Sequence, residues 1–138
     1  MLDDFAECLV SNSRMAARAV TRRYDRHLRG HGITSAQFSL MGAIKDTPGR
    51  TVSELAEERG FDRTTLTRNL DRLEESALIE SRHAEKGNGR ICTITPKGRA
   101  LIAELVPIWR EAQAEMRSLL SDKGFEDSLR TLKRLAEV

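Results

Sequence analysis

Apolar side chains recur at helical spacing along most of the chain, and turn-forming residues separate these stretches. The first stretch covers about residues 2–29, where apolar positions lie mostly four or seven residues apart until Gly30 ends it. Further helices are predicted to begin after Thr34 and Thr51, because each threonine is followed three residues later by Gln or Glu, the capping-box pattern. The sequence therefore predicts one long helix followed by two shorter ones.

A fourth helix and a hairpin are predicted next. Gly60 ends the third helix, and the carboxylate of Asp62 can accept the free N–H groups of a helix over about residues 63–76. Three leucines fall on one face of that helix: Leu66, Leu70 and Leu73. Two β-prone runs then flank Asn88-Gly89, which favours a two-residue hairpin turn because both positions tolerate positive φ.

The last third of the chain is predicted to be helical. Thr95 and Pro96 suit the N-cap and first position of a helix, and Pro107 should bend it locally. A break near residues 121–124 precedes a final helix. The order helix, tight turn, helix and hairpin is that of a winged helix-turn-helix. We therefore predict a mainly α fold with a small β-hairpin wing (α+β).

The length of the chain and its terminal helices predict how the fold is organised. The 138 residues suit a single domain, 1–138, with the winged helix-turn-helix at 34–96. The terminal segments, 2–33 and 97–138, carry apolar faces that are long for so small a core. They are therefore predicted to be dimerisation helices. The alternative is a monomer whose terminal helices cover its own core.

Several classes of protein are disfavoured by what the sequence lacks. No apolar run approaches the roughly 20 residues of a membrane helix, and the acidic N-terminus is unlike a signal peptide, so we expect a cytoplasmic protein without membrane contact. Cys8 and Cys92 make neither a disulfide framework nor a zinc site, so no metal and no cofactor are expected. The scattered histidines and the lack of hydrolase, metalloprotease or phosphate-loop motifs argue against an enzyme.

The small net charge of +2 conceals alternating blocks. Residues 51–77 carry a net charge of −3, whereas residues 78–100 carry +3. The first helix has a stripe of arginines at four-residue steps: Arg14, Arg18, Arg22 and Arg26. Because like charges at this spacing repel, we expect the stripe to pair with acidic residues of the C-terminal helices, to be solvated, or to hold an anion.

The second helix of the helix-turn-helix carries candidate DNA-contacting residues. With its leucines inward, its other faces present hydroxyls and arginines, which bind base edges and phosphates in DNA. The candidates are Arg63, Thr64, Thr65, Thr67, Arg68 and Arg72. The alternative is a solvated helix face with internal ion pairs such as Arg68–Asp71. The acidic residues of the 51–77 block favour this alternative unless they lie away from the phosphates.

Three stretches of the chain resemble the MarR family of bacterial winged-helix regulators: GITSAQFSLMGAI, TVSELAEERGFDRTTLTRNLDRLEESALIE and ITPKGRAL. The resemblance covers about residues 8–137, and the middle stretch is similar to the family's helix-turn-helix with its Asp-Arg-Thr-Thr start. It implies an obligate homodimer, formed by interlocking terminal helices, that binds a pseudo-palindromic double-stranded DNA operator through residues 34–96. It also implies that a small-molecule effector or oxidation controls this binding.

The wing departs from the pattern of that family. Members often carry Asp-x-Arg there, a pair that braces the loop while its arginine enters the minor groove, but the corresponding positions here hold Lys86 and Asn88. Either Arg90 makes the minor-groove contact instead, or the wing touches only phosphates. The candidate wing contacts are Arg82, Lys86, Asn88 and Arg90.

Cys8 is a candidate redox sensor. The resemblance implies this role because peroxide-sensing relatives place a reactive cysteine in the first helix, although Cys8 lies about two residues earlier than theirs. The alternative is a packing role, since free cysteine is among the most buried residue types. Cys92, in an apolar strand, is expected to pack.

These observations predict a homodimeric, sequence-specific, double-stranded DNA-binding transcriptional regulator. We expect a repressor that a small molecule or oxidation releases from its operator. The rival interpretation is a winged-helix protein–protein or ligand-binding module without operator binding. The acidic balance of residues 51–77 and the missing wing pair support that rival.

Overall fold

The computed structural model describes residues 4–137, which form five α-helices and a two-stranded antiparallel sheet. The elements are α1 (Leu9–Leu28), α2 (Ser35–Asp46), α3 (Val52–Arg59), α4 (Arg63–Glu75), β1 (Ile79–His83), β2 (Arg90–Ile94) and α5 (Pro96–Ala136). This order confirms the predicted mainly α fold with a small β-hairpin wing. Residues 2, 3 and 138, which fall within the predicted terminal helices, lie outside the described residues.

The first helix begins later than its apolar pattern predicts. A short 3-10 turn, Phe5–Glu7, precedes it, and Cys8 has an extended backbone with φ −65° and ψ 123°. The side chain of Asp4 accepts the N–H of Ala6 at 3.1 Å and thereby caps the turn. The amide of Asn12 donates to the carbonyl of Cys8 at 2.8 Å. The prediction of one helix from residue 2 is therefore wrong, because these local side-chain bonds satisfy the backbone in another conformation.

The predicted helix starts at the helix-turn-helix are confirmed. Thr34 accepts the N–H of Gln37 at 3.2 Å, and Thr51 accepts the N–H of Glu54 at 3.1 Å, with the reciprocal bond of each capping box also present. Gly60 ends α3 with φ +69°, a conformation that costs glycine little. Only two residues then separate this turn from α4, so the angle between the two helices is set locally.

Burial of one face of each helix fixes α4 against the rest of the molecule. The predicted inward leucines of α4 are confirmed, since all three are at most 2% exposed. They pack in one cluster with Leu40 and Met41 of α2, Leu55 of α3, Ile79 of β1 and Leu105 of α5. Because all five helices and both strands contribute to this core, the packing fixes which face of α4 is buried and which face, opposite the leucines, is exposed.

The hairpin has a longer loop than Asn88-Gly89 predicts. The strands pair from Ile79 opposite Ile94 to His83 opposite Arg90, which leaves residues 84–89 in the loop. The predicted two-residue turn is therefore wrong. In this loop the residue with positive φ is Gly87 (+82°). Gly89 is favoured for a different reason, its small size, because a Cβ at this position would lie 2.7 Å from Cγ2 of Thr51.

The start and the break of α5 are confirmed. Thr95 accepts the N–H of Gly98 at 3.0 Å as N-cap, with Pro96 in the first position. The backbone stays helical at Pro107 and breaks at Ser121, where φ is 66° and ψ is 162°. Near its start the helix passes so close to the chain before β1 that a Cβ on Gly98 would lie 2.2 Å from the carbonyl oxygen of Leu78.

Candidate nucleic-acid interface

The outward face of α4 carries an open depression lined by charged and hydroxyl side chains. Its lining residues are Arg63, Thr64, Thr67, Arg68 and Asp71, and all of them are exposed. Arg63 donates from Nη1 to Oγ of Ser53 at 2.9 Å, which holds its guanidinium against the start of α3. This surface supplies forked donors and small hydroxyls, which suit base edges and phosphates.

The N-terminus of α4 is held by Asp62. Its Oδ2 accepts the N–H of Thr65 at 3.0 Å, as the sequence predicts. That backbone hydrogen bond is the main reason that the pKa of Asp62 lies below its usual value, with Arg68 adding a smaller electrostatic contribution. Asp62 therefore stays ionised and keeps the first turn of α4 ordered.

Arg72 lies away from the depression that the other α4 candidates share. It lines a separate groove, together with Arg29 and Arg68, between the α1–α2 turn and the C-terminal half of α4. Thr65 is exposed at the first turn of α4. The structure thus brings four of the six recognition-helix candidates to one depression, and the DNA contact assigned to Arg72 stays a prediction.

Arg90 connects the wing to the recognition helix. Its Nη1 lies 3.0 Å from Oδ1 of Asp71, its Nη2 lies 3.1 Å from Oε2 of Glu74, and its Nε donates to Oγ of Ser81 at 2.9 Å. Its side chain is only 27% exposed. Arg82, Lys86 and Asn88 are exposed on the hairpin. Since strand pairing ends at Arg90, this residue lies at the base of the loop and not at its tip.

Basic residues outside the acidic block neutralise part of it. Arg50 lies 3.4 Å from carboxylate oxygens of both Glu54 and Glu58, and Arg90 pairs with Asp71 and Glu74 as described. The ion pair Arg68–Asp71, which represents the solvated alternative, is absent among residues 4–137. Arg90 in particular offsets the charge of Asp71, the acidic residue that lines the depression on α4.

The two cysteines have opposite environments. Cys8 is partly exposed at the N-cap of α1, and its pKa is lowered, chiefly by the backbone N–H of Ser11. Cys92 is buried in β2, as expected, and burial raises its pKa. A thiol with a lowered pKa is more reactive, because the thiolate is the nucleophile. This contrast favours Cys8 over Cys92 as a site of oxidation.

Sequence patterns missed a polar cluster between α1 and α5. Glu115 binds both His27 and Arg23, and Tyr24 donates a hydrogen bond to Gln113. The hydrogen bond from His27, followed by that from Arg23, lowers the pKa of Glu115. The local sequence indicates this cluster only through the four-residue spacing of Arg23 and His27, which places both side chains on the same face of α1.

The arginine stripe of α1 does not take part in that cluster. Within residues 4–137, none of its four members forms a salt bridge. The stripe is exposed along α1. The expected pairing with the C-terminal glutamates is therefore made by Arg23 and not by the stripe.

A cavity of about 330 Å³ lies beside the polar cluster. It is bounded by α1, α2 and α5, and Tyr24, His27 and Trp109 contribute to its wall. Burial raises the pKa of Tyr24, so its hydroxyl stays protonated; because its hydrogen is donated to Gln113, the oxygen can act towards a ligand only as an acceptor. The cavity combines an aromatic wall with polar groups, which suits a small organic ligand.

Neither a metal-binding cluster nor a membrane-spanning helix is found in the described part of the chain. No three His, Cys, Asp or Glu side chains of residues 4–137 are grouped closely enough to hold a metal ion. No helix in the same range combines the length and the apolar character needed to cross a membrane.

Comparisons with known proteins identify the family. A family model described as MarR family matches residues 31–91. The crystal structure of the transcriptional regulator MosR from M. tuberculosis is 37% identical, with a TM-score of 0.81, and the match covers 97% of this chain and 98% of that one. A structure of MosR in complex with DNA is 36% identical, with a TM-score of 0.84, and the match covers 95% of each chain.

More distant relatives agree with this match. The transcriptional regulator HosA from Escherichia coli is 27% identical over 104 residues, which is 75% of this chain and 77% of HosA. A MarR variant from E. coli complexed with operator DNA shares the fold at 22% identity, with a TM-score of 0.82, over 96% of this chain and 99% of that chain. The chain belongs to the MarR family and is a MarR-type transcriptional regulator.

Proposed function

We propose that this chain is a homodimeric, sequence-specific double-stranded DNA-binding repressor that a small molecule or oxidation releases from its operator. The observation that carries the proposal is the outward face of α4, where exposed Arg63, Thr64, Thr67 and Arg68 stand at the N-terminal half of a rigidly packed helix. Helix-turn-helix proteins insert this end of the second helix into the major groove. The MosR structure in complex with DNA supports the same role here.

Dimerisation is supported by where the large apolar side chains are exposed. Among residues 4–137, all eleven exposed large hydrophobic residues lie in residues 5–20 or 109–135, and none lies in the winged helix-turn-helix. Phe5 is 78% exposed, and Leu119 and Leu132 are 59% and 58% exposed. Apolar surface of this extent is normally covered in solution, and a second copy offers the same two helices.

Two features support release by an effector or by oxidation. The α1–α2–α5 cavity joins the terminal helices to the start of the helix-turn-helix, so a ligand there would contact both regions. BpsR from Bordetella bronchiseptica, which shares the fold at 20% identity, is a protein whose DNA binding is regulated by 6-hydroxynicotinic acid. The partly exposed thiol of Cys8, with its lowered pKa, supports oxidation as the other route.

The test of operator binding begins with in vitro selection of bound DNA, followed by anisotropy titration of the selected site. Arg68→Ala should lose about 1–3 kcal/mol of binding free energy if its guanidinium bridges a guanine. Arg134→Ala, which removes the same charge from the last turn of α5, serves as the matched control and should bind like the parent. Equal affinity of Arg68→Ala and the parent would remove Arg68 from the interface.

Salt dependence separates this proposal from the rival protein–protein or ligand-binding module. Binding through several phosphates weakens steeply as salt is added, because counterions are released. A selection that enriches no DNA sequence, with no salt-dependent DNA affinity, would favour the rival.

A further inference from the structure

We propose that the double-stranded DNA flanking the operator lies along the outer face of α1, where a row of arginines holds its phosphates. The row begins beside the depression on α4 and continues into the N-terminal half of α1. We call it the arginine track and define it by Arg14, Arg18, Arg22, Arg26, Arg29 and Arg72. The inference extends the proposed DNA-binding function and rests on it.

Shared arginines join the track to the candidate interface on α4. Arg68 lines both the outward depression of α4 and the groove that contains Arg29. Arg29 also lines a second depression, together with Arg22 and Arg26 of α1. A third depression on α1 is lined by Arg22 and Arg18. A partner that follows these depressions therefore passes from α4 onto α1 without leaving arginine side chains.

The arginine stripe of α1 faces away from the rest of the protomer. His27, which binds Glu115 of α5, lies nine residues after Arg18. At 3.6 residues per turn, this spacing places the two side chains on opposite sides of α1. Leu9 and Val20, which are exposed on α1, lie roughly 160–180° around the helix from Arg18. A second copy that covers this apolar side therefore leaves the stripe accessible.

The track has little opposing charge. Among residues 4–137, none of its six arginines forms a salt bridge. Asp25 lies beside it but accepts the N–H of Ser35 at 2.7 Å. Asp71 is paired with Arg90 at 3.0 Å, which leaves Glu75 as the other acidic residue along these depressions. Because arginines four residues apart repel one another, a bound polyanion relieves this repulsion in addition to attracting each of them.

The regular spacing of the arginines suits the backbone of a duplex. Steps of four residues place the stripe arginines roughly 6 Å apart, over roughly 18 Å from Arg14 to Arg26. Double-stranded DNA carries a phosphate charge about every 1.7 Å of its axis, so each arginine of the row can meet a phosphate. Single-stranded nucleic acid stacks on aromatic rings, but Tyr24, the aromatic residue of α1, is turned towards Gln113 of α5. Continuity with α4 makes the flanking duplex the occupant that fits.

The first experiment compares two duplexes that carry the selected operator. One ends at the half-sites, and the other extends about 20 base pairs, or two helical turns, beyond each of them. The stripe variant, Arg14→Gln/Arg18→Gln/Arg22→Gln, removes the part of the track farthest from α4. The control variant, Arg110→Gln/Lys133→Gln/Arg134→Gln, removes the same charge from exposed positions of α5.

The parent and the control variant should bind the long duplex about tenfold more tightly than the short one, because each flank adds several phosphate contacts. The stripe variant should bind both duplexes with the affinity that the parent has for the short one. On the long duplex, the slope of log Kd against log salt should be smaller in the stripe variant by about 2–3 for each bound flank. Loss of like charges four residues apart gives α1 no reason to unfold, which circular dichroism checks.

The second experiment measures bending, because flanking DNA has to turn towards α1 to stay on the track. Energy transfer between dyes at the two ends of the long duplex should rise when the parent or the control variant binds. It should rise less when the stripe variant binds, since the ends are then released.

Three results would overturn the proposal. The first is an equal Kd of the parent for the two duplexes, or an equal gain from the flanks in the parent and the stripe variant. The second is capture of a separate non-operator duplex by the parent bound to the short operator, but not by the stripe variant, because the track would then hold a second DNA molecule. The third is dissociation of the stripe variant into monomers in light scattering, which would place the stripe between protomers.

The two proposals fail in different ways. A selection that enriches no operator refutes the DNA-binding proposal and the track together. Tight binding of the short operator without any gain from the flanks refutes the track alone.

Discussion

The bridge that Arg90 forms between the wing and α4 is best tested by Arg90→Met. Methionine keeps most of the aliphatic stem but removes the guanidinium, and with it the two ion pairs to Asp71 and Glu74 and the hydrogen bond to Ser81. The sequence alone allows a different role for Arg90, direct contact with the DNA minor groove. The same substitution distinguishes these two roles.

The expected loss of stability is modest. The side chains of Asp71 and Glu74 are 56% and 43% exposed, so solvent screens both ion pairs and each contributes about 0.2–1 kcal/mol. The hydrogen bond to Ser81 adds about 0.5–1.5 kcal/mol. The free energy of unfolding should therefore fall by about 1–3 kcal/mol, as measured by urea denaturation.

Operator binding should also weaken, because Asp71 lies in the same depression as Arg68 and loses the cation that neutralises it. One uncompensated charge near a phosphate costs about 1 kcal/mol in water at close range, or about fivefold in Kd. Asp71→Asn should remove most of this penalty, so the double variant Arg90→Met/Asp71→Asn should bind nearly as tightly as Asp71→Asn alone. Strictly additive losses in this cycle would refute the bridge and support direct contact of Arg90 with DNA.

Two further predictions concern stability. Gly98→Ala should lower the free energy of unfolding by about 1–3 kcal/mol or more, because its Cβ would lie 2.2 Å from the carbonyl oxygen of Leu78. The control is Gly42→Ala, whose Cβ would meet nothing within 4 Å and which should be neutral or stabilising by about 0.4–1 kcal/mol. Equal effects of the two variants in thermal unfolding would contradict this account. Asp62, whose pKa is lowered from its ordinary 3.8, should contribute stability above that pH and lose it as the pH falls through the folded-state pKa. Asp62→Asn keeps a capping side chain, so its unfolding free energy should depend less on pH between about pH 5 and pH 2 than that of the parent; identical pH profiles would exclude this role.

Local sequence was sufficient wherever a structure depends on residues a few positions apart. The capping boxes at Thr34 and Thr51 and the N-cap at Asp62 each involve bonds over three residues, and all were predictable. The buried face of α4 follows from the spacing of its leucines, which also decides that Thr64 and Arg68 point outward. The family could be inferred for the same reason, since its helix-turn-helix is one continuous stretch.

Features that depend on distant parts of the chain were decided only by the tertiary structure. Asn88-Gly89 favours a tight turn, but approach of Thr51 requires Gly89 for space, and strand pairing ends at Arg90. Arg90 meets Asp71 across 19 residues, and Arg29 at the end of α1 lines the same groove as Arg72 of α4, far from it in sequence. Spacing specifies which face of an element is buried, whereas ion pairs and cavities depend on which elements lie side by side, and that is set by packing of the whole core.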